Sequence, residues 1–255
     1  MIAEQLEFRE LLYQMTARDL LLRYKQTIMG FGWALATPVL NTIIFSLIFT
    51  RVAPVSTRVP YPLFAYCGLL AWNLTASALR FSVTSLTANT NLVTKVYFPR
   101  EIFPLSAVFV SLVDFGVAAT VLVAMMAYYH VPATAALVFV PIVVLAQSAF
   151  TAALALFLSM ANLFYRDVKY LFEIVLTVWM FASAVVYPID DVGGWFGTLV
   201  RVNPMTAIVE AYRSAILYGQ PPSAAFGWIA AATAVLLPTA WLFFHRSEFQ
   251  FAEHI

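Results

Sequence analysis

The sequence predicts an all-α integral membrane protein: six transmembrane helices, an N-terminal amphipathic interface helix, and short re-entrant helices between spans five and six. Three observations lead there. Of 255 residues, 62% are hydrophobic and only 11% charged, where soluble domains carry about 45–50% and about 25%. The mean hydropathy is +0.85. The apolar residues gather into runs near 33–51, 63–86, 104–129, 135–162, 170–188 and 226–244. At about 1.5 Å per residue each run roughly covers a hydrocarbon core of about 30 Å. Lys and Arg are also uneven. With the N-terminus inside, the inner flanks hold Arg9, Arg18, Arg23, Lys25, Lys95, Arg100, Arg166, Lys169 and Arg246, and the outer flanks only Arg51, Arg58, Arg201 and Arg213. That bias favours both termini in the cytoplasm.

The segments are helices because a backbone in lipid must satisfy its own polar groups, and no alternating barrel pattern is present. Before the first span, Phe8, Leu11, Leu12, Met15 and Leu22 recur at helical spacing opposite Glu7, Arg9, Glu10 and Arg18. Such a helix suits the membrane interface or a berth on the protein itself. Gly30 and Gly32 then offer a bend before Trp33, an anchor at headgroup depth. Span two carries Arg80 toward its inner end. Span three carries Asp114 near its middle, where a lone carboxylate costs about 2.5–3.5 kcal/mol. The expectation is therefore that Asp114 lies between helices, within reach of Arg80 or of a hydroxyl such as Ser111.

Span four presents the small-residue face Ser148, Ala152, Ala155 and Ser159, suited to close helix packing. Span five has Glu173 about one turn in, and aligns Tyr170, Glu173, Thr177, Phe181, Ala184 and Tyr187 on one face. For Arg80, Asp114 and Glu173, helix-to-helix ties and a polar lining both remain open. The stretch "YPIDDVGGWFGTLVRVNPMTAIVEAYRSAILYGQPP" (187–222) is too polar to cross as one helix. Asn203-Pro204 reads as an N-cap with proline at the first helical position, and Glu210 and Arg213 sit one turn apart on the polar side. Two short helices dipping into the outer leaflet result. The chain divides into an interfacial helix (1–32), a six-helix transmembrane domain (33–244) and a cytoplasmic tail (245–255).

Several classes of function are disfavoured. A net charge of +1 gives no electrostatic case for nucleic acid. The single cysteine, Cys67, allows neither an internal disulfide nor a thiolate metal site. The opening MIAEQLEFRE is acidic and lacks the apolar core of a signal peptide. No GxxxxGK[ST], HExxH or GxSxG occurs, and histidines 130, 245 and 254 are scattered. The expectation is no catalytic residue, no metal and no cofactor within the chain.

The inner loops are more telling. "NLVTKVYFPREIFP" (91–104) and "NLFYRDVKY" (162–170) concentrate charge in a chain that has little. Positive charge alone can serve to hold a loop inside. Rings interleaved with the charges also suit a docking patch for a soluble partner, with Lys95, Tyr97, Pro99, Arg100, Glu101, Tyr165, Arg166 and Asp167 as candidates.

Together, "RYKQTIMGFGWALATPVL" (23–40), "NLVTKVYFPREIFPLS" (91–106), "NLFYRDVKY" (162–170) and "NPM" (203–205) resemble the permease subunit of ABC-2-type polysaccharide exporters, the family that moves O-antigen, capsule or teichoic acid chains. The resemblance implies six helices per protomer, a homodimer in the bacterial inner membrane, and two copies of a separate ATPase that brings the ATP and Mg. It implies that both inner loops couple to that ATPase and that the cargo is a lipid-linked polysaccharide. For such a cargo, aromatic rings offer flat apolar area with a polar tip, and a chain that must slide needs weak binding. Phe45, Phe49, Tyr66, Trp72 and Tyr187 are the expected ring of the substrate path. An exporter of lipids or drugs is the alternative within transport; an intramembrane transferase would need a buried base or nucleophile, and the sequence offers none.

Overall fold

The structure, a computed structural model, describes residues 8–25, 30, 32–90, 92, 98–248 and 251. Among them the order is α1 (Arg9–Tyr24), α2 (Gly32–Leu47), α3 (Tyr61–Ala88), α4 (Ile102–Tyr128), α5 (Val140–Phe164), α6 (Val168–Phe181), α7 (Gly194–Val202), α8 (Pro204–Ile216) and α9 (Ala224–Ser247). A π-helical turn, Ile48–Val52, extends α2, and a 3-10 turn, Ala135–Phe139, leads into α5.

Helix α3 is the axis of the protomer. It is buried along most of its length, with α4 and α5 packed on it most extensively and α2, α8 and α6 completing the surround. Helix α9 rests on α5. The small face expected on α5 is present, with Ala152, Ala155 and Ser159 all buried. Without bulky side chains there, backbones approach closely and dispersion contacts accumulate.

Two expectations are corrected. Five helices among the described residues are long and apolar enough to cross a membrane: Gly32–Val52, Tyr61–Ala88, Ile102–Tyr128, Ala135–Phe164 and Ala224–Ser247. The fifth of the six spans read from the sequence is not among them. Helix α6 has 14 residues, about 21 Å of rise against a core of about 30 Å. It stops because its continuation is captured. Ala184 takes a positive φ of 49°, a conformation that ends a helix, and the carbonyls of Ala182, Ala184 and Val185 are taken by Asn203, the N-cap of α8, and by Arg213 within α8. An apolar run can thus be long enough to span and still be broken by partners far along the chain. The re-entrant reading of the following segment is not kept either. Helices α7 and α8 exist, but α8 is a packed core helix with most of its residues buried, chiefly against α3.

Helix α1 settles on the protein. Met15 is buried, with Phe8, Leu11 and Leu12 against the same cluster, and the helix lies along α4. Leu21 and Leu22 stay exposed. The described residues of both chain ends pack at the same end of the bundle: Arg18 donates to Asn89 (3.3 Å), Ser106 to Asp19 (2.9 Å) and Arg100 to the carbonyl of Glu248, while Phe251 packs on Phe164 and Phe244. This end of the bundle also carries the α5–α6 turn.

Candidate functional site

Three places hold the residues singled out in the sequence: the α5–α6 turn with the loop entering α4, a polar cavity between helices, and a cluster of rings.

Lys95 and Tyr97 lie outside the described residues. Tyr165, Arg166 and Asp167 form the turn between α5 and α6, and all three are exposed. The turn is held from beneath, since Asn162 is buried and its Oδ1 accepts the Lys169 N–H at 3.2 Å. Exposed ends on a fixed base can meet a partner at little entropic cost. The other loop is different. Pro99 is buried, and Arg100 is half-buried and turned onto Glu248. Glu101 is 1% exposed and accepts from Trp241 Nε1 at 3.0 Å, with His245 Nδ1 at 3.3 Å. Its carboxylate is turned into the protein, onto the end of α9.

Asp114 does lie between helices, but its partner is not Arg80. Arg23 and Tyr24, at the end of α1, both donate to its carboxylate, and the guanidinium of Arg23 lies 3.8 Å from the Phe81 ring centroid. Burial first, and the Asp114 carboxylate second, push the Tyr24 phenol up to about 12. Arg80 pairs with Glu173 instead, at 2.8 and 3.1 Å, and both side chains are about half exposed. Ser111 contacts Ser77 at 3.4 Å. Around Asp114 opens a cavity of about 290 Å³, whose walls include Arg23, Tyr24, Trp33, Asn73 and Ser77. A carboxylate at mid-span thus draws its countercharge from a helix that does not cross.

The five candidate rings do not form one surface. Tyr66 is fully buried, its hydroxyl donating to Ala118 O at 2.8 Å. Trp72 is 4% exposed and meets Trp179 edge to face at 5.6 Å. These two are core. Phe45 and Phe49 stack at 6.3 Å, half-exposed, with Tyr61 next to Phe49 at 5.6 Å. Tyr187 is also half-exposed, its hydroxyl donating to Phe181 O. On α6 the expected polar-aromatic stripe is exposed from Tyr170 through Phe181, and Ala184 and Tyr187 fall beyond the helix end.

A buried, multiply bonded arginine stands where the sequence suggests a polar helix side. Arg213 is fully buried. It donates to Ala184 O (2.9 Å), Val185 O (2.6 Å) and Glu210 Oε1 (2.7 Å), and its guanidinium lies 3.6 Å from the Phe64 ring centroid. Gly68 makes room for it, because a Cβ there would stand 2.3 Å from Val185 O and 2.7 Å from Arg213 Nη2. Beside it Asn203, the N-cap expected from sequence, accepts the Met205 N–H at 3.0 Å and the Trp179 Nε1–H at 3.1 Å, and donates to Ala182 O at 2.8 Å. A signal for Arg213 was present. Met205, Val209 and Arg213 recur every four residues, which places the arginine on the apolar face of α8.

Comparison with known proteins adds an independent line. The family model described as ABC-2 type transporter matches residues 10–217. The O-antigen export system permease protein RfbA of Myxococcus xanthus is 31% identical over 261 residues, covering all of this chain and 99% of the relative. Two proteins with the same description from Klebsiella pneumoniae are 28% and 26% identical over 246 residues, covering 96% of this chain and 94% of each relative.

Proposed function

The chain belongs to the ABC-2 type transporter family, and on that premise we propose that it is the permease of an ATP-driven exporter carrying a lipid-linked, O-antigen-like polysaccharide outward across the bacterial inner membrane. The observation that carries this reading is the match over full length to permeases named for O-antigen export. The chain is a transport permease, and in this reading the chemistry of ATP and Mg belongs to two copies of a partner ATPase, with two copies of this chain forming the path. In this reading both termini are cytoplasmic, as the bias of Lys and Arg in the sequence favours.

Coupling enters at Tyr165, Arg166 and Asp167, the exposed turn, with Pro99 and Arg100 in the loop entering α4 and with Lys95 and Tyr97, which lie outside the described residues. A push on the turn moves α6, which is tied to the axial helix α3 by Arg80–Glu173 and by Trp72 against Trp179. The turn is thus the handle and α6 the lever. Of the rings, Phe45, Phe49 and Tyr187 keep area that a sugar face can touch, while Tyr66 and Trp72 shape the wall from behind. The cavity lining around Asp114 and the half-exposed Arg80 and Glu173 supply polar groups near the path.

The test is complementation of a permease-deficient strain, reading glycan at the cell surface, permease level, and co-purification of the ATPase. With Arg166→Glu, surface glycan and ATPase capture fall while permease level holds. Full capture and full export by that variant would remove the coupling role. Normal surface glycan in the absence of the permease would remove the polysaccharide reading and favour a lipid or drug cargo.

A further inference from the structure

Three groups that the transport reading leaves unused meet where the last helix returns to the loop entering α4. Glu101, just before α4, and His245 and Glu248, at the end of α9, each offer one donor atom, and these atoms lie within 4.8 Å of one another. His245 Nδ1 is 3.3 Å from Glu101 Oε1 and 3.6 Å from Glu248 Oε2. Glu101 is 1% exposed and Glu248 8%. Among the described residues, Oε1 of Glu101 has Trp241 Nε1 and His245 as neighbours, while its Oε2 is buried without a hydrogen-bond partner. A buried carboxylate oxygen left open beside a second carboxylate is costly unless a cation meets it.

We propose that Glu101, His245 and Glu248 bind one divalent transition-metal ion of the zinc class, which pins the end of α9 to the loop entering α4. The donor set supports this. One imidazole nitrogen and two carboxylate oxygens suit Zn²⁺, with a remaining position for water. His245 and Glu248 are three residues apart, so both reach the same side of the helix end. Trp241, one turn before His245, donates to Glu101 and holds that carboxylate in orientation, as outer-shell donors do in metal sites. The His245 side chain is 30% exposed, which gives an ion a way in. Arg100 lies beside the group, bonded to the main-chain carbonyl of Glu248. The site does not depend on which molecule the permease carries.

The experiment uses the full chain, purified in detergent, stripped with chelator and dialysed against Zn²⁺. Metal content and thermal unfolding are then measured. The expected result is one Zn²⁺ per chain and a melting temperature that rises with Zn²⁺ in the wild type. His245→Ala and Glu248→Gln each lose that rise and bind at least about tenfold more weakly, and Trp241→Phe weakens binding by about tenfold through the carboxylate it holds. Co²⁺ added to the wild type gives visible absorption bands of a nitrogen- and oxygen-bound ion, a readout that needs no variant to fold. Zinc retained equally by His245→Ala, or a wild type that takes up neither Zn²⁺ nor Co²⁺, would overturn the proposal and leave the group as a proton-bridged histidine–glutamate contact.

Discussion

Two charged regions flank α6, and they use arginine in opposite ways. Beyond its C-terminal end, Arg213 is fully buried, and its donors go to the carbonyls of Ala184 and Val185 and to Glu210. Before its N-terminal end, Arg166 stands exposed in a turn between Tyr165 and Asp167. The same side chain is a structural tie in one place and an exposed charge, the proposed docking surface, in the other. What separates them is the supply of unpaired acceptors. A chain that leaves helix inside a bundle strands its carbonyls, and a buried guanidinium with its fork of donors can collect two of them at once. A turn at the bundle end meets no such demand, so its charges stay outward.

The comparison can be broken at its strongest point first. Arg213→Ala leaves the carbonyls of 184 and 185 and the Glu210 carboxylate without their donor. A cost of about 3–5 kcal/mol is expected from removing one member of a buried charged network, read as loss of folded permease in detergent melts. Near-normal melting would show that the tie is dispensable. Arg23→Leu comes next. It strips Asp114 of its cation, with an expected cost of about 2.5–3.5 kcal/mol for an uncompensated carboxylate at mid-span. Adding Asp114→Asn should restore most of that loss; a double variant as unstable as the single one would contradict the pairing.

Smaller effects sharpen the contrast. Gly68→Ala forces the 182–187 turn and Arg213 to shift, and overpacking of this kind costs about 1–3 kcal/mol. It should be nearly silent in an Arg213→Ala background only so far as the arginine is the obstacle, because Val185 O also crowds that position. Arg80→Gln removes a half-exposed pair with Glu173, worth about 1 kcal/mol or less, so melting barely moves. Arg166→Glu should shift stability least of all, within about 0.5 kcal/mol, while export falls. A variant at Arg166 that unfolds the permease would erase the distinction between tie and handle.

Much of the fold was legible before any coordinates. Five of the six apolar runs are helices of spanning length, the Asn203-Pro204 cap forms, and the small face of α5 packs as its composition implies. These features are local: each rests on propensity, length or a cap within a few residues of the chain. The remaining run, the fifth, failed because the groups that end α6 at Phe181 come from Asn203 and Arg213, more than twenty residues later. Apolarity states that a segment can be buried, not that it continues as one helix. Among the candidate site residues, the turn 165–167 is exposed, whereas Glu101, Tyr66 and Trp72 are buried in the protomer. Residue type alone does not separate a ring in a wall from a ring in a core.

The sequence by itself determined the membrane class, the all-helical economy and the motifs that mark the family, because each follows from hydropathy, backbone satisfaction in lipid, or short runs of residues. Tertiary structure alone decided the pairing of charges. Asp114 meets Arg23 and not Arg80, Arg80 meets Glu173, and Arg213 meets a main-chain turn. It also brought His245, one of three scattered histidines, against Glu101 from 144 residues away. The physical reason is the steep cost of an unpaired charge away from water: it requires that partners exist, and only the packing of helices decides which ones come within reach.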